Sequence, residues 1–145
     1  MKLIALTLIA GMFAACTGGA QRPPSDVVNL KPGDAKFLAL KDTAQKHLPQ
    51  FIDSLKNYTP DRIFTVKTDF TDGKNHEHMW SMILNYRDGK FGGVLIDEPY
   101  LVHNIKPDDT VLLDRKTIED WVIYNEKREA LAGGFSIKYL KSQHR

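Results

Sequence analysis

The sequence has a single cysteine, no apolar run long enough to cross a bilayer, and no marked excess of charge of either sign. One cysteine excludes an intrachain disulfide, and it excludes a zinc site built from thiolates, because such sites use two to four of them. Basic and acidic residues are interspersed, and the formal net charge is +2. Because no basic stripe is present, we expect no nucleic-acid binding.

The first fifteen residues resemble an export signal. Met1 and Lys2 give a positive start, and residues 3–15 read LIALTLIAGMFAA. As a helix these residues would span roughly 20 Å, which is short of the ~30 Å hydrocarbon core of a membrane. The segment therefore predicts a signal peptide rather than a stable membrane span.

The sequence Phe13-Ala14-Ala15-Cys16 resembles the bacterial lipobox. The resemblance implies cleavage between Ala15 and Cys16 and diacylglycerol on the Cys16 sulfur, so the membrane is the first expected partner. Thr17, where an inner-membrane lipoprotein often has Asp, favours the outer membrane facing the periplasm. An ordinary cleaved signal peptide and a cytosolic protein are the alternatives.

Three regions follow from this pattern. Residues 1–15 are the predicted lipoprotein signal peptide, and residues 16–32 are the lipidated cysteine and a flexible tether rich in Gly and Pro. Residues 33–145 are a single domain, since 145 residues with 42% hydrophobic and 26% charged side chains are typical of one globular unit.

An amphipathic helix opens the domain. Asp34 is a plausible N-cap, and the helix should run to about Leu48 with one apolar stripe made by Phe37, Leu40, Ala44 and Leu48. Pro49 is expected to kink or split it. We expect this helix to pack on a sheet.

Beyond Pro60 the apolar residues alternate, which indicates strands. The predicted strands are Arg62–Phe70, His76–Tyr86, Lys90–Ile96, Val111–Leu113, Ile118–Tyr124 and Phe135–Leu140. Asp72-Gly73 and Arg87-Asp88-Gly89 are hairpin turn signals. The prediction is an α+β domain whose helix covers a curved, mainly antiparallel sheet of about five or six strands.

Five short motifs in this domain occur in the same order in YegJ-like proteins, a bacterial family of unknown function. They are His76-Glu77-His78-Met79-Trp80, Asp88-Gly89-Lys90-Phe91-Gly92-Gly93, Asp97-Glu98-Pro99, Ile118-Glu119-Asp120-Trp121 and Gly133-Gly134-Phe135. The resemblance spans roughly residues 35–141. It implies a shared fold and brings no activity with it.

These motifs supply a candidate binding surface, made of His78, Trp80, Asp97, Asp120 and Trp121. Tryptophans on strands are usually core or sheet-face residues, but an exposed ring can stack against a sugar or a peptide. We expect a binding site only if these side chains gather on a concave surface.

The sole metal-like spacing is His76-x-His78, which places two imidazoles about 6–7 Å apart on one strand face. His103 could join them, whereas Glu77 points the other way. Catalytic zinc needs three protein ligands, so these histidines are weak metal candidates, and we expect no cofactor.

Three functions remain open. The first is a lipid-anchored, non-catalytic module that binds an envelope protein, peptide or glycan. The second is an inhibitor or immunity-like protein that acts on an envelope toxin or hydrolase. The third is a small metal-dependent enzyme that uses His76 and His78.

Overall fold

The structure is a computed structural model and describes residues 33–143. The signal peptide, Cys16 and the tether lie outside the described residues. The elements, in chain order, are α1 (Ala35–Lys56), β1 (Arg62–Asp72), β2 (Asn75–Arg87), β3 (Lys90–Leu95), β4 (Thr110–Asp114), a short 3₁₀ turn (Arg115–Thr117), β5 (Asp120–Asn125), β6 (Ala130–Gly133) and α2 (Phe135–Gln143).

The six strands form one open sheet in the order β4-β3-β2-β1-β5-β6. Every neighbouring pair is antiparallel. The predicted α+β class is therefore confirmed, and so is the expected number of strands. Neither helix of the described region is long and apolar enough to cross a bilayer.

Helix α1 begins as the sequence predicts and ends later. The Asp34 carboxylate accepts a hydrogen bond from the Lys36 N–H at 2.7 Å, which is N-cap geometry. The helix then continues through Pro49 to Lys56 without being split. Because Phe51, Ile52 and Leu55 extend the buried stripe past the proline, their burial outweighs the backbone hydrogen bond that Pro49 cannot make.

Two different elements cover the same face of the sheet, which we call the packed face. Residues of α1 pack with Phe64, Val66 and Trp121 in the larger core cluster. The connection between β3 and β4, residues 96–109, covers a smaller cluster that contains Met79 and Leu95. The larger cluster is thus covered by a helix, and the smaller cluster is covered by a loop.

The two predicted hairpin turns are confirmed. Asp72 pairs with Asn75, and Arg87 pairs with Lys90, so each turn has two central residues. Asp88 and Gly89 both have positive φ, as the common type I′ hairpin turn requires.

The C-terminal segment differs from the prediction. The alternation of Phe135–Leu140 predicts a strand, but this segment belongs to α2, and the last strand is instead Ala130–Gly133. Gly133 and Gly134 both have positive φ, which ends β6 and turns the chain into the helix. This segment is short, and the apolar pattern that begins with Phe135 and Ile137 fits either a strand or a helix.

Candidate functional site

Trp121 is a core residue. Its side chain is fully buried on β5, its Nε1 donates to the Ala44 carbonyl at 3.0 Å, and its ring packs against Phe51 and Phe135. A Cβ atom at Gly133 would lie 2.0 Å from the Trp121 carbonyl oxygen, so only glycine fits there. Trp121 therefore lies inside the domain and not on the candidate binding surface.

Asp120 is buried as well, and it holds the start of α2. Its Oδ1 accepts from the Phe135 N–H at 3.1 Å, and its Oδ2 accepts from the Ser136 N–H at 2.8 Å and from the Ser136 hydroxyl. A carboxylate at a helix N-terminus satisfies free N–H groups and favours the helix dipole. Asp120 is therefore the cap of α2, and its oxygens face the protein's own backbone.

Glu77 has a similar role on β2, on the other side of β1. It points to the packed face, where its carboxylate accepts from the N–H groups of Tyr100, Leu101 and Val102 at 2.9, 2.8 and 3.3 Å. Hydrogen bonds to a charged acceptor are among the stronger ones in proteins. Glu77 thus fixes the loop that covers the smaller core cluster. The sequence signal for this role is an acid at a position where the alternation of β2 calls for a buried residue.

Asp97 also accepts from the backbone, in this case from the Trp80 N–H at 2.9 Å. This bond continues the β2–β3 pairing just beyond the end of β3. The Trp80 ring is half-buried, and the Lys67 Nζ lies 5.8 Å from its centroid, within the range of a cation–π contact. Trp80 therefore remains at the surface, while Asp97 positions the backbone beneath it.

His78 forms the closest pair of ionisable side chains in the candidate set. Its Nδ1 donates to the Glu119 carboxylate at 2.6 Å, and Lys41 lies 3.6 Å from the other oxygen of that carboxylate. The Phe37 ring lies 5.4 Å from the imidazole. The hydrogen bond to Glu119 raises the pKa of His78 above its ordinary value, although partial burial acts in the opposite direction.

His76 engages a different carboxylate, Asp69, at 2.8 Å. In His103 the backbone N–H donates to Asp72 at 3.0 Å. Within residues 33–143 no group of three or more His, Cys, Asp or Glu side chains could hold a metal ion, so the structure does not bring His76, His78 and His103 together as a metal centre.

The other face of the sheet is exposed along β2, β3 and β4. We call this the open face and define it by Trp80, Met82, Val94, Ile96 and Leu112. Met82 pairs with Val94, and the Ile96 N–H donates to the Trp80 carbonyl, so these residues are neighbours across β2 and the end of β3. Leu112 on β4 is 68% exposed, and Ile96, just after β3, is 43% exposed. At the β5 end of this face, by contrast, Val122 is fully buried.

The structure therefore separates the five candidate residues. Trp80 stays on the open face, and His78 lies half-buried next to it on the same strand. Asp97 and Asp120 accept hydrogen bonds from the protein's own backbone, and Trp121 lies in the core. The aliphatic members of the open face were missed by the sequence analysis, because an alternating strand does not tell which of its two apolar sets stays exposed.

The family profile of uncharacterised proteins conserved in bacteria, DUF2314, matches residues 34–144. The chain belongs to the DUF2314 family. The uncharacterised protein YegJ of Escherichia coli K12 is 29% identical over 97 residues, which cover 67% of this chain and 61% of YegJ. The chain thus aligns with less than two thirds of that relative's length. No solved structure matches the chain.

Membership of DUF2314 confirms the resemblance to YegJ-like proteins that the motifs indicated. The structure also gives these motifs a physical meaning. Glu77, Asp97, Asp120 and Trp121 each join one part of the domain to another. Residues of the motifs that carry the resemblance therefore help to hold this domain together.

Proposed function

We propose that this DUF2314 protein is a lipid-anchored protein of the bacterial envelope, and that its domain binds an envelope protein through the open face. The observation that carries the binding role is the row of apolar side chains on the open face, of which Leu112 and Ile96 are exposed. Exposed apolar patches on a soluble domain commonly mark interaction sites.

The anchor rests on the sequence Phe13-Ala14-Ala15-Cys16 and on the apolar segment before it. Two or three acyl chains hold a protein stably on a membrane, at about 0.8 kcal/mol per buried CH₂. A tether of sixteen residues has a root-mean-square reach of roughly 20–25 Å, which lets the domain meet partners above the headgroups.

The composition of the open face favours a protein over a glycan. Val94, Ile96 and Leu112 are aliphatic, whereas sugar sites combine aromatic platforms with polar groups that fix the hydroxyls. Apolar contact cores of this kind are typical of protein interfaces. A toxin or hydrolase, as the inhibitor or immunity-like hypothesis requires, is one kind of protein that could bind here.

The anchor is tested by fractionation of cells that express the full chain or its Cys16→Ser variant. The full chain should remain with the membranes and carry a lipid mass on its N-terminal peptide, and the variant should lose both properties. A full chain without the lipid mass would contradict the anchor.

The binding role is tested by copurification from envelope extracts. Leu112→Asp places a charge on the edge strand β4, at the most exposed side chain of the open face, and should abolish recovery of the partner. Lys46→Asp, a matched change at an exposed position of α1, should leave recovery unchanged. Equal recovery with both variants would contradict the proposal.

A further inference from the structure

A surface groove lies where the segment that joins α1 to β1 meets strands β1 and β2. Its volume is about 410 Å³, which is within the range of small-molecule sites. Most of its wall is apolar and comes from Tyr58, Pro60, Ile63, Met82 and Leu84. Tyr58 and Leu84 form an exposed rim.

Among the described residues, Arg62 is the only charged one that lines this groove. Its Nε is buried and has no hydrogen-bond partner among the described residues. Within residues 33–143, no carboxylate lies within 4.0 Å of its guanidinium. The side-chain hydrogen bond with Thr59 is the main cause of the lowered pKa of the neighbouring Asp61, and the positive charge of Arg62 makes a smaller contribution.

The positive charge of Arg62 thus has no carboxylate at ion-pair distance among the described residues. The guanidinium keeps its charge at any physiological pH, and a partly buried charge is costly unless it is paired. The N–H groups of its two Nη atoms match the two oxygens of a carboxylate. The apolar wall beside it suits a hydrocarbon body attached to that carboxylate.

We propose that this groove binds an apolar carboxylate, with the anionic group on Arg62 and the hydrocarbon part against Tyr58, Met82 and Leu84. Two sources share this chemistry, namely a free fatty acid and the C-terminus of an apolar peptide. The groove meets the open face at Met82. Binding there requires neither export nor a protein partner, so it stands independently of the function proposed above.

Methionine NMR gives a direct readout of the groove. The described residues contain two methionines, Met82 in the groove and Met79 in the smaller core cluster, so Met79 is an internal control. The full chain carrying Cys16→Ser, which has no lipid of its own, is labelled at the methionine methyl groups. It is then titrated with decanoate below the concentration at which micelles form.

Decanoate should shift the Met82 signal to saturation and leave the Met79 signal in place. Decanol and decylamine, which have the same chain length, should bind about tenfold more weakly, as expected for the loss of one charged hydrogen-bonded pair. The acetylated peptide Ala-Leu-Leu with a free C-terminus is the second arm. Whichever of decanoate and this peptide binds more tightly identifies the source of the carboxylate.

Two variants test the role of Arg62. Arg62→Met should remove the preference for decanoate over decanol while decanol still shifts Met82, which also shows that the variant is folded. Arg62→Lys should retain part of the preference. Equal affinity of the original protein for decanoate and decanol, or no movement of Met82 with either carboxylate, would overturn the proposal.

Discussion

Trp80 and Trp121 lie on the two strands that flank β1, yet their surroundings are opposite. Trp121 is enclosed by Phe51, Phe135 and the backbone of α1, next to the buried cap that Asp120 provides for α2. Trp80 lies on the open face, beside aliphatic side chains that remain exposed. The corner around Trp121 holds the fold together, and the surface around Trp80 is the one that we propose for binding.

This difference predicts two kinds of variant. Changes near Trp121 should lower the free energy of unfolding. So should changes at Glu77, whose carboxylate also accepts hydrogen bonds from backbone N–H groups. Changes on the open face should leave that free energy nearly unchanged and affect association instead. The predictions below run from the largest expected effect on stability to the smallest.

Asp120→Ala should have the largest effect. It removes the acceptor of two backbone N–H groups and one hydroxyl at the start of α2 and leaves them in a buried corner, so we expect a loss of about 3 kcal/mol. Asp34→Ala, which removes the exposed cap of α1, should cost only about 1 kcal/mol. Urea denaturation measures both, and equal losses would show that burial of the cap is unimportant.

Glu77→Gln should come next. A Gln oxygen can still accept hydrogen bonds, but the charge that strengthens the bonds from Leu101 and Val102 is lost, so we expect a cost of about 1.5 kcal/mol. Amide hydrogen exchange should accelerate in residues 100–102 more than in β5. Glu98→Gln, at an exposed position of the same loop, is the control and should change neither quantity.

Glu119→Gln should have a smaller and pH-dependent effect. Because the hydrogen bond to Glu119 raises the pKa of His78 in the folded protein, its stabilising contribution is complete below the unfolded value of 6.5 and is lost as pH rises through the folded pKa. The stability difference between the original protein and the variant should therefore shrink with rising pH. NMR titration should also give a lower His78 pKa in the variant, and an unchanged value would contradict the pairing.

Leu112→Asp should have the smallest effect on stability, within about 0.5 kcal/mol, because the side chain is mostly exposed. The same variant should lose the partner in envelope extracts. A large loss of stability would mean that the open face is part of the fold, and the contrast between the two regions would then fail.

Much of the fold could be predicted from the sequence because local signals were strong. The cap at Asp34 and the two hairpin turns follow from side-chain and backbone preferences that act over a few residues. The sequence left open whether α1 is kinked or split at Pro49, because its passage through the proline depends on packing against a sheet formed later in the chain. The helix after Gly134 depends in the same way on Asp120, which is distant in sequence.

The candidate site was predicted less well, for a related reason. Glu119, Asp120 and Trp121 are consecutive, and their sequence does not tell that one pairs with His78, one caps α2 and one fills the core. The position of Trp80 at the surface likewise depends on which face of the sheet α1 covers. Residue type alone suggested that Asp97, Asp120 and Trp121 contact a ligand, but they make hydrogen bonds with the protein's own backbone.

The most direct test of the open face as the binding surface is photo-cross-linking in intact cells from two positions. A photoreactive phenylalanine derivative replaces Leu112 on the open face in one strain and Lys46 on the exposed side of α1 in the other. We predict a discrete cross-linked protein from position 112 and none from position 46. Adducts in equal yield from both positions, or none from position 112, would contradict the claim that the open face is the binding surface.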